Sequence, residues 1–194
     1  MKKITLLLML VISLGFAENK FYLAAGVGSG SGEYIYSDTS GLNEEHESNQ
    51  ELADIKFGVI IEHNNRIEFS ISKLEIDVIN PSILDKTVTS INADFILTLD
   101  FEEANPILLP FLTIGAGYSV WDGSTSITKD NTVIMGSSIN YGVGVYLSLS
   151  HSVDLEIAYK GKKIIWQDMV DTNGNILSLE EDVALTYIGL QFHF

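Results

Sequence analysis

An all-β chain, folded as an eight-stranded antiparallel up-and-down transmembrane barrel, is what the sequence predicts, and three observations lead there. The closing residues alternate. Ala184, Thr186, Ile188, Leu190, Phe192 and Phe194 fall on one face, and Val183, Leu185, Tyr187, Gly189, Gln191 and His193 on the other. Period two sorts residues this way, which is the mark of a strand. A soluble strand rarely leaves two phenylalanines on its exposed phase, whereas a membrane strand needs apolar side chains outward. Segments of the same character recur at about the 9–11 residues that a tilted membrane strand requires. Their connections alternate short (63–65, 102–106, 150–152) and long (29–50, 79–86, 121–135, 164–181).

The N-terminus stands apart from this pattern. Met1-Lys2-Lys3 is basic, Ile4 to Leu14 is apolar, and Gly15-Phe16-Ala17 puts small residues at the last and third-last positions. This is the layout of a secretory signal peptide cut after Ala17, leaving 18–194 as one barrel domain. A membrane anchor is the alternative, but the apolar run is shorter than the roughly 18 residues a spanning helix needs.

The strands follow in order. The first starts at Lys20, with Phe21, Leu23, Ala25 and Val27 outward, and a long polar loop to about Gln50 is expected after it. The second sets Ala53, Ile55, Phe57, Val59 and Ile61 against Asp54, Lys56, Gly58, Ile60 and Glu62, and His63-Asn64-Asn65 turns the chain. The third sets Ile67, Phe69 and Ile71 against Arg66, Glu68, Ser70 and Ser72. Its apolar phase then moves to Leu74, Ile76 and Val78, which predicts a bulge near Lys73. The fourth runs from Thr89 to Phe101 with Ser90, Asn92, Asp94, Ile96, Thr98 and Asp100 inward. The fifth runs from Leu108 to Val120 with Phe111, Thr113, Gly115, Gly117 and Ser119 inward. The sixth carries Ile139 to Leu149 outward, and Ser150-His151-Ser152 turns into the seventh, Val153 to Lys160. A third excursion, roughly 164–181, precedes the closing strand. Within it Asn173-Gly174 reads as a hairpin turn, and the apolar residues around it predict that strands seven and eight continue as a ribbon with an open edge. Aromatic residues gather near strand ends, Phe21, Phe101, Phe111, Phe192 and Phe194 toward one rim and Tyr118, Trp121 and Trp166 toward the other, as interfacial girdles do.

Composition excludes several classes. Cysteine is absent, so there is no disulfide framework, thiolate metal site or thiol nucleophile. A net charge of −15 argues against nucleic acid as a partner, because phosphate binding runs on Lys and Arg. A hydrophobic content of 46% argues against disorder. A secreted lipocalin or β-sandwich also alternates, but it buries its apolar face, and the lipocalin Gly-x-Trp is missing at Gly26-Val27-Gly28.

Across 18–194, the strand layout and the aromatic-x-Phe terminus resemble the small eight-stranded outer-membrane barrels of the OmpA/OmpX/opacity type. The resemblance implies both termini in the periplasm and residence in the outer membrane of a Gram-negative cell. It implies outer-membrane lipid and lipopolysaccharide as surroundings, and recognition by the barrel-assembly machinery through Ile188, Leu190, Phe192 and Phe194 of the closing strand. It further implies a non-enzymatic surface protein with structural, adhesive or defensive duties, an analogy of fold rather than of site.

An eight-stranded barrel is just wide enough for its own side chains to fill. The inward set carries Lys56, Arg66 and Lys160 beside Asp54, Glu62, Glu68, Asp94, Asp100, Asp154 and Glu156. Charges kept from lipid pair with one another or meet trapped water. One reading is a polar network, Lys56, Arg66, Glu68, Asp94, Asp154, Glu156 and Lys160, that plugs the interior. The other is a narrow cation-preferring channel, since inward acids outnumber inward bases and Gly26, Gly28, Gly115, Gly117, Gly142 and Gly144 leave space.

No cofactor, metal or catalytic site is expected. His151 and Ser152 are adjacent, so on a strand they point to opposite faces. The His-x-Ser-Asn pattern of lipid A deacylases is not matched by His151-Ser152-Val153-Asp154, and His46, His63 and His193 read as isolated surface residues. Glu44-Glu45-His46-Glu47 reads as a solvated acidic face, and Asp171 to Glu180 fits a calcium loop poorly because Met169 stands where an acid is needed. The expected business end is therefore the acidic loops, with an extracellular protein as partner.

Overall fold

The computed structural model describes residues 20–39, 43–61, 64–79, 86–99, 107–121, 133–170 and 176–194. The expected signal segment, the 102–106 turn, Glu62, Asp100 and the Asn173-Gly174 hairpin lie outside them. The strands are β1 (Lys20–Asp38), β2 (Asn43–Ile60), β3 (Arg66–Val78), β4 (Lys86–Thr98), β5 (Leu108–Trp121), β6 (Ile134–Ser150), β7 (Val153–Trp166), β8 (Met169–Val170) and β9 (Ile176–His193). From β1 to β7 each strand pairs antiparallel with the next, and β7 pairs with β9. The ring closes where β9 returns to β1, from Tyr22↔His193 to Asp38↔Leu177. The two-residue β8 lies against the start of β9. Eight long strands thus form an up-and-down barrel, as the alternation predicts.

The proximal end is the one that carries both ends of the described chain: the Phe194 amide donates to the Phe21 carbonyl at 3.0 Å. There the β2–β3 turn holds Asn64 at φ 60°, a left-handed conformation that Asn tolerates. Thr98 pins the turn, its amide donating to Asn65 Oδ1 at 3.0 Å and its hydroxyl to the Asn64 carbonyl at 2.8 Å.

Toward the proximal end the strands point apolar side chains out and polar ones in, as expected. Ile55, Phe57, Phe69, Ile71, Ile91, Phe95, Ile114, Ile139 and Ile188 are exposed, while Lys56, Arg66, Glu68, Asn92, Asp154, Glu156 and Gln191 are buried. Toward the distal end this order reverses. β3 alternates buried and exposed without interruption from Arg66 to Val78, so Leu74, Ile76 and Val78 point inward while Lys73, Glu75 and Asp77 point out. The bulge expected near Lys73 is absent, and the registers of β3 with β2 and β4 run unshifted through it. The apolar residues change sides because the surroundings do: a wall in water needs charge outside and an apolar core within. Among the described residues a register shift occurs instead at Ser148/Ser150, beside the β6–β7 turn.

The same reversal corrects the expected loops. Much of the segment read as loop 29–50 is a hairpin, β1 and β2 pairing out to Ser37↔Asn43. Its Ser, Gly and Glu residues look loop-like because the wall they form faces solvent, whereas Tyr34, Ser48 and Gln50 point into the barrel. The 164–181 excursion is also largely strand, so the ribbon is present. Its edge is not open over this stretch, since β9 pairs with β1 as far as Leu177 and with β7 as far as Glu180. The girdle is corrected too. Trp121, Trp166 and Phe111 are buried in the interior, and the exposed aromatic residues at the distal margin of the apolar belt are Tyr118, Tyr141 and Tyr159.

Candidate functional site: the barrel interior

The interior is built in tiers. In the proximal tier Arg66 reaches across from β3 to Asp154 on β7 at 3.1 Å and touches Gln191 on β9. Its guanidinium lies 3.7 Å from the Tyr146 ring centre and 5.4 Å from that of Tyr22. Phe111 stacks on Tyr146 at 4.4 Å between centroids. Asp154 also takes a hydrogen bond from Ser148 at 2.9 Å and lies 2.9 Å from His193 Nε2. His193 is thus not an isolated surface residue. Ser148 bonds to the carboxylate rather than to the imidazole, so the Ser–His contact that activates a serine nucleophile is not formed.

The middle tier is the ionic cluster. Glu156 accepts from Lys56 and Lys160, each at 2.8 Å, and Lys56 also lies 3.4 Å from Glu68. Tyr22 donates to Glu68 at 2.9 Å, Tyr187 donates to Asp54 at 2.7 Å, and the ammonium of Lys160 lies 3.5 Å from the Tyr187 ring centre. The inward glycines make room for these rings. A Cβ on Gly58 would come within 2.1 Å of the Tyr22 ring, and one on Gly26 within 1.9 Å of the Tyr187 hydroxyl. At these two positions glycine provides space for a side chain rather than an open path.

Above the cluster lies a polar chamber. Asp94 accepts from Asn140 at 2.9 Å, Asn92 donates to Ser70 at 3.0 Å, and Lys162 donates to Asn92 at 3.2 Å. These groups line a cavity of about 70 Å³ that is bounded distally by Leu74, Val183 and Leu185. It is large enough for a few waters and too polar to stay dry.

The distal tier is an apolar core of Tyr34, Leu74, Ile76, Val78, Val88, Trp121, Ile134, Ile164, Trp166, Leu177 and their neighbours, with one ion pair inside it. Lys86 on β4 meets Glu181 on β9, and its ammonium lies 4.4 Å from the Tyr34 ring centre, 4.5 Å from Trp121 and 5.4 Å from Trp166. The Trp166 indole N–H donates to the same carboxylate at 3.1 Å. Burial pushes the Lys86 pKa down, and Glu181 opposes that shift.

Of the seven residues expected in the interior network, the structure joins Lys56, Glu68, Glu156 and Lys160 in one cluster and Arg66 with Asp154 in another. Asp94 stands apart in the chamber. Lys86, Lys162 and Glu181 are additions that the sequence reading missed. Lys86 and Glu181 fall at the ends of segments read as connections, and Lys162 just past the expected end of strand seven, although the alternation continues through them. Among the described residues the inward acids (Asp54, Glu68, Asp94, Asp154, Glu156, Glu181) and inward bases (Lys56, Arg66, Lys86, Lys160, Lys162) are close to balance. The acid excess behind a cation preference therefore shrinks.

The distal outer wall is acidic. Glu33 faces Glu47 on β2 and Asp182 on β9. Its carboxyl is held above the ordinary range, first by a hydrogen bond with Glu45. Lys163 pairs with Glu180 at 2.6 Å, and His46 lies 3.3 Å from Glu44. Among the described residues no group of three or more His, Asp or Glu side chains is arranged to hold a metal ion.

No protein-family model and no curated protein matches the chain. Solved structures do. Neisserial surface protein A is 16% identical, with a TM-score of 0.50 over 90% of this chain and 97% of its own. The outer membrane protein OprG from Pseudomonas aeruginosa is 12% identical, with a TM-score of 0.53 over 93% of this chain and 98% of its own. At such identities the likeness is one of fold: this is a small transmembrane β-barrel.

Proposed function

We propose, from the fold shared with small outer-membrane barrels, that the chain is an integral outer-membrane surface protein. In this reading a signal peptide, 1–17, is removed on export, and both termini face the periplasm. The distal half then projects from the cell. Outer-membrane lipid and lipopolysaccharide surround the apolar belt, and Ile188, Leu190, Phe192 and Phe194 carry the signature read by the barrel-assembly machinery. The interior is a plug, and the protein works non-enzymatically through its projecting acidic wall, in envelope integrity or in binding an extracellular protein partner.

The observation that carries this reading is the double filling of the interior, an ionic cluster below and an apolar core above, with Lys56, Lys160, Arg66 and Lys86 all ion-paired and Asp54, Asp94 and Lys162 hydrogen-bonded to neutral side chains. Charges held in pairs in an enclosed interior support a static network, since freeing one costs about 3–5 kcal/mol. The chamber of about 70 Å³ favours a second reading, a small channel that opens when the distal core rearranges.

Single-channel recording of the refolded barrel in a planar bilayer separates the two. Silence from barrels whose folding is shown by heat-modifiable gel mobility is the expected result, and a steady conductance would replace the plug with a pore. Partner binding is best tested by exchanging Glu45 and Glu47 for Lys rather than by deleting 166–180. That deletion would remove Trp166, Met169, Leu177 and Leu179 from the distal core.

A further inference from the structure

Around the distal core the outer wall presents two different surfaces. On β9, β1, β2 and β3 its outward residues include Asp182, Glu33, Glu47 and Asp77. Around the rest of the ring, the outward neighbours of the same core include Thr87 beside Val88, Val120 beside Trp121 and Met135 beside Ile134. Among the described residues no outward position of β4, β5 or β6 carries a charge. In the closed ring these three strands stand diametrically opposite β9, β1 and β2. The barrel thus has an acidic side and an uncharged side. The uncharged side stays apolar well beyond the belt. On β6, Met135 and Val133 lie six and eight residues distal to Tyr141 at the belt margin. That is roughly 20 and 26 Å of strand. Ile165 joins them from β7, opposite Ser137, the outward residue next to Met135. Met135, Val133 and Ile165 are 42, 52 and 46% exposed. A contiguous apolar patch held in water marks an interaction site.

We propose that the uncharged side, β4 to β6, is the face through which two copies of this chain associate side by side. The proposal rests on the reading that the barrel spans the outer membrane with its distal half outward. Charge chooses the occupant. The chain carries a net charge of −15, so copies that meet acid to acid repel. A two-fold axis parallel to the barrels, with the uncharged sides inward, instead puts the acidic walls on the far sides of the pair. The bilayer holds both copies upright and at one depth, so the patch meets its own copy in an isologous contact. Within the belt, Ala93 and Ala116 are paired side by side on β4 and β5, and small residues let two walls approach closely. The extent also suffices. Three strands wide and as long as the 14 residues of β5, the face has an outline of roughly 650 Å². One side of a stable interface buries about 600–1,000 Å².

The chain has no cysteine, so single cysteines report the contact without background. In phosphatidylglycerol vesicles at high lipid-to-protein ratio, Met135→Cys barrels treated with a short bis-maleimide should give a covalent dimer. Asn49→Cys, exposed on the opposite, acidic side, should give none. Met135→Glu sets two carboxylates against each other at the contact. By single-molecule subunit counting it should raise the dissociation constant of the dimer at least about tenfold, with heat-modifiable gel mobility unchanged. Equal cross-linking at both positions, none at Met135→Cys, or an unchanged dissociation constant in Met135→Glu overturns the proposal. A dye on Met135→Cys quenched by a lipid-borne quencher also overturns it and gives the patch to the bilayer. All of these results leave the membrane reading intact. A chain that does not insert, judged by protease protection of the belt, overturns the membrane reading itself.

Discussion

Lys86 and Glu181 meet across the distal end of the barrel, contributed by β4 and β9, and both side chains are essentially without solvent contact. An ammonium in that position is held by its carboxylate partner and by three aromatic faces. Lys86→Ala leaves Glu181 charged and buried with only the Trp166 indole beside it. The expected loss is about 3–5 kcal/mol. Replacing both partners, Lys86→Met with Glu181→Leu, should recover most of it. Urea unfolding of the barrel in vesicles reads both outcomes. A double variant as unstable as the single one would show that packing, not charge, dominates the site.

Gly58 sits under the Tyr22 ring. Gly58→Ala places a methyl where the ring now lies, at an expected cost of about 1–3 kcal/mol. Combined with Tyr22→Leu, the two changes should couple rather than add, which a double-mutant cycle measures. Additive effects would mean that the ring has room to move aside.

The acidic wall should respond to pH. Glu33 is held above its ordinary range by the hydrogen bond with Glu45 and by the charges of Glu45, Asp182 and Glu47. The folded wall therefore takes up a proton more readily than the unfolded chain. Its stability rises as pH falls through the raised Glu33 value, and the gain is complete below the ordinary carboxylate range. Hydrogen exchange of β1 and β2 amides, corrected for intrinsic rates, should show more protection near about pH 5 than at neutrality. Glu33→Gln should erase the difference, and the same difference in that variant would refute the assignment.

Two isoleucines on β3 report the change of face. Ile76 is buried in the distal core, and truncation to Ala should cost about 2–5 kcal/mol. Ile71 is 62% exposed on the belt, so its truncation should cost less, but Ile71→Arg should cost up to about 2–4 kcal/mol, less toward the belt margin. Equal costs for the two truncations would contradict the assignment of Ile71 to lipid.

Strand count, strand order and the inward set of the proximal half were legible because one side of that wall is apolar and the other is not. Arg66, Glu68, Asp154 and Glu156 could be placed from parity alone. The distal half was read as loop for a physical reason. A segment such as Ser29 to Gln50 is polar because its outer face meets water, and inside it Tyr34 and Tyr36 are the hints of a core. Lys86 and its partner Glu181 were missed with it, since a lysine in an apolar tier is visible only once Tyr34, Trp121 and Trp166 of three other strands are brought around it. The shift of apolar parity at Lys73 was noticed but assigned to the backbone, when what changes there is the solvent.

The reversal of faces along β3 also fixes how deep the barrel floats. Sinking by two residues would drag Lys73 and its level neighbours into hydrocarbon, and rising by two would lift Ile71 and Ile91 into water. The penalty climbs in both directions, so the wall itself acts as a waterline. A bilayer thicker than the belt thins where it meets the charged distal face of β3.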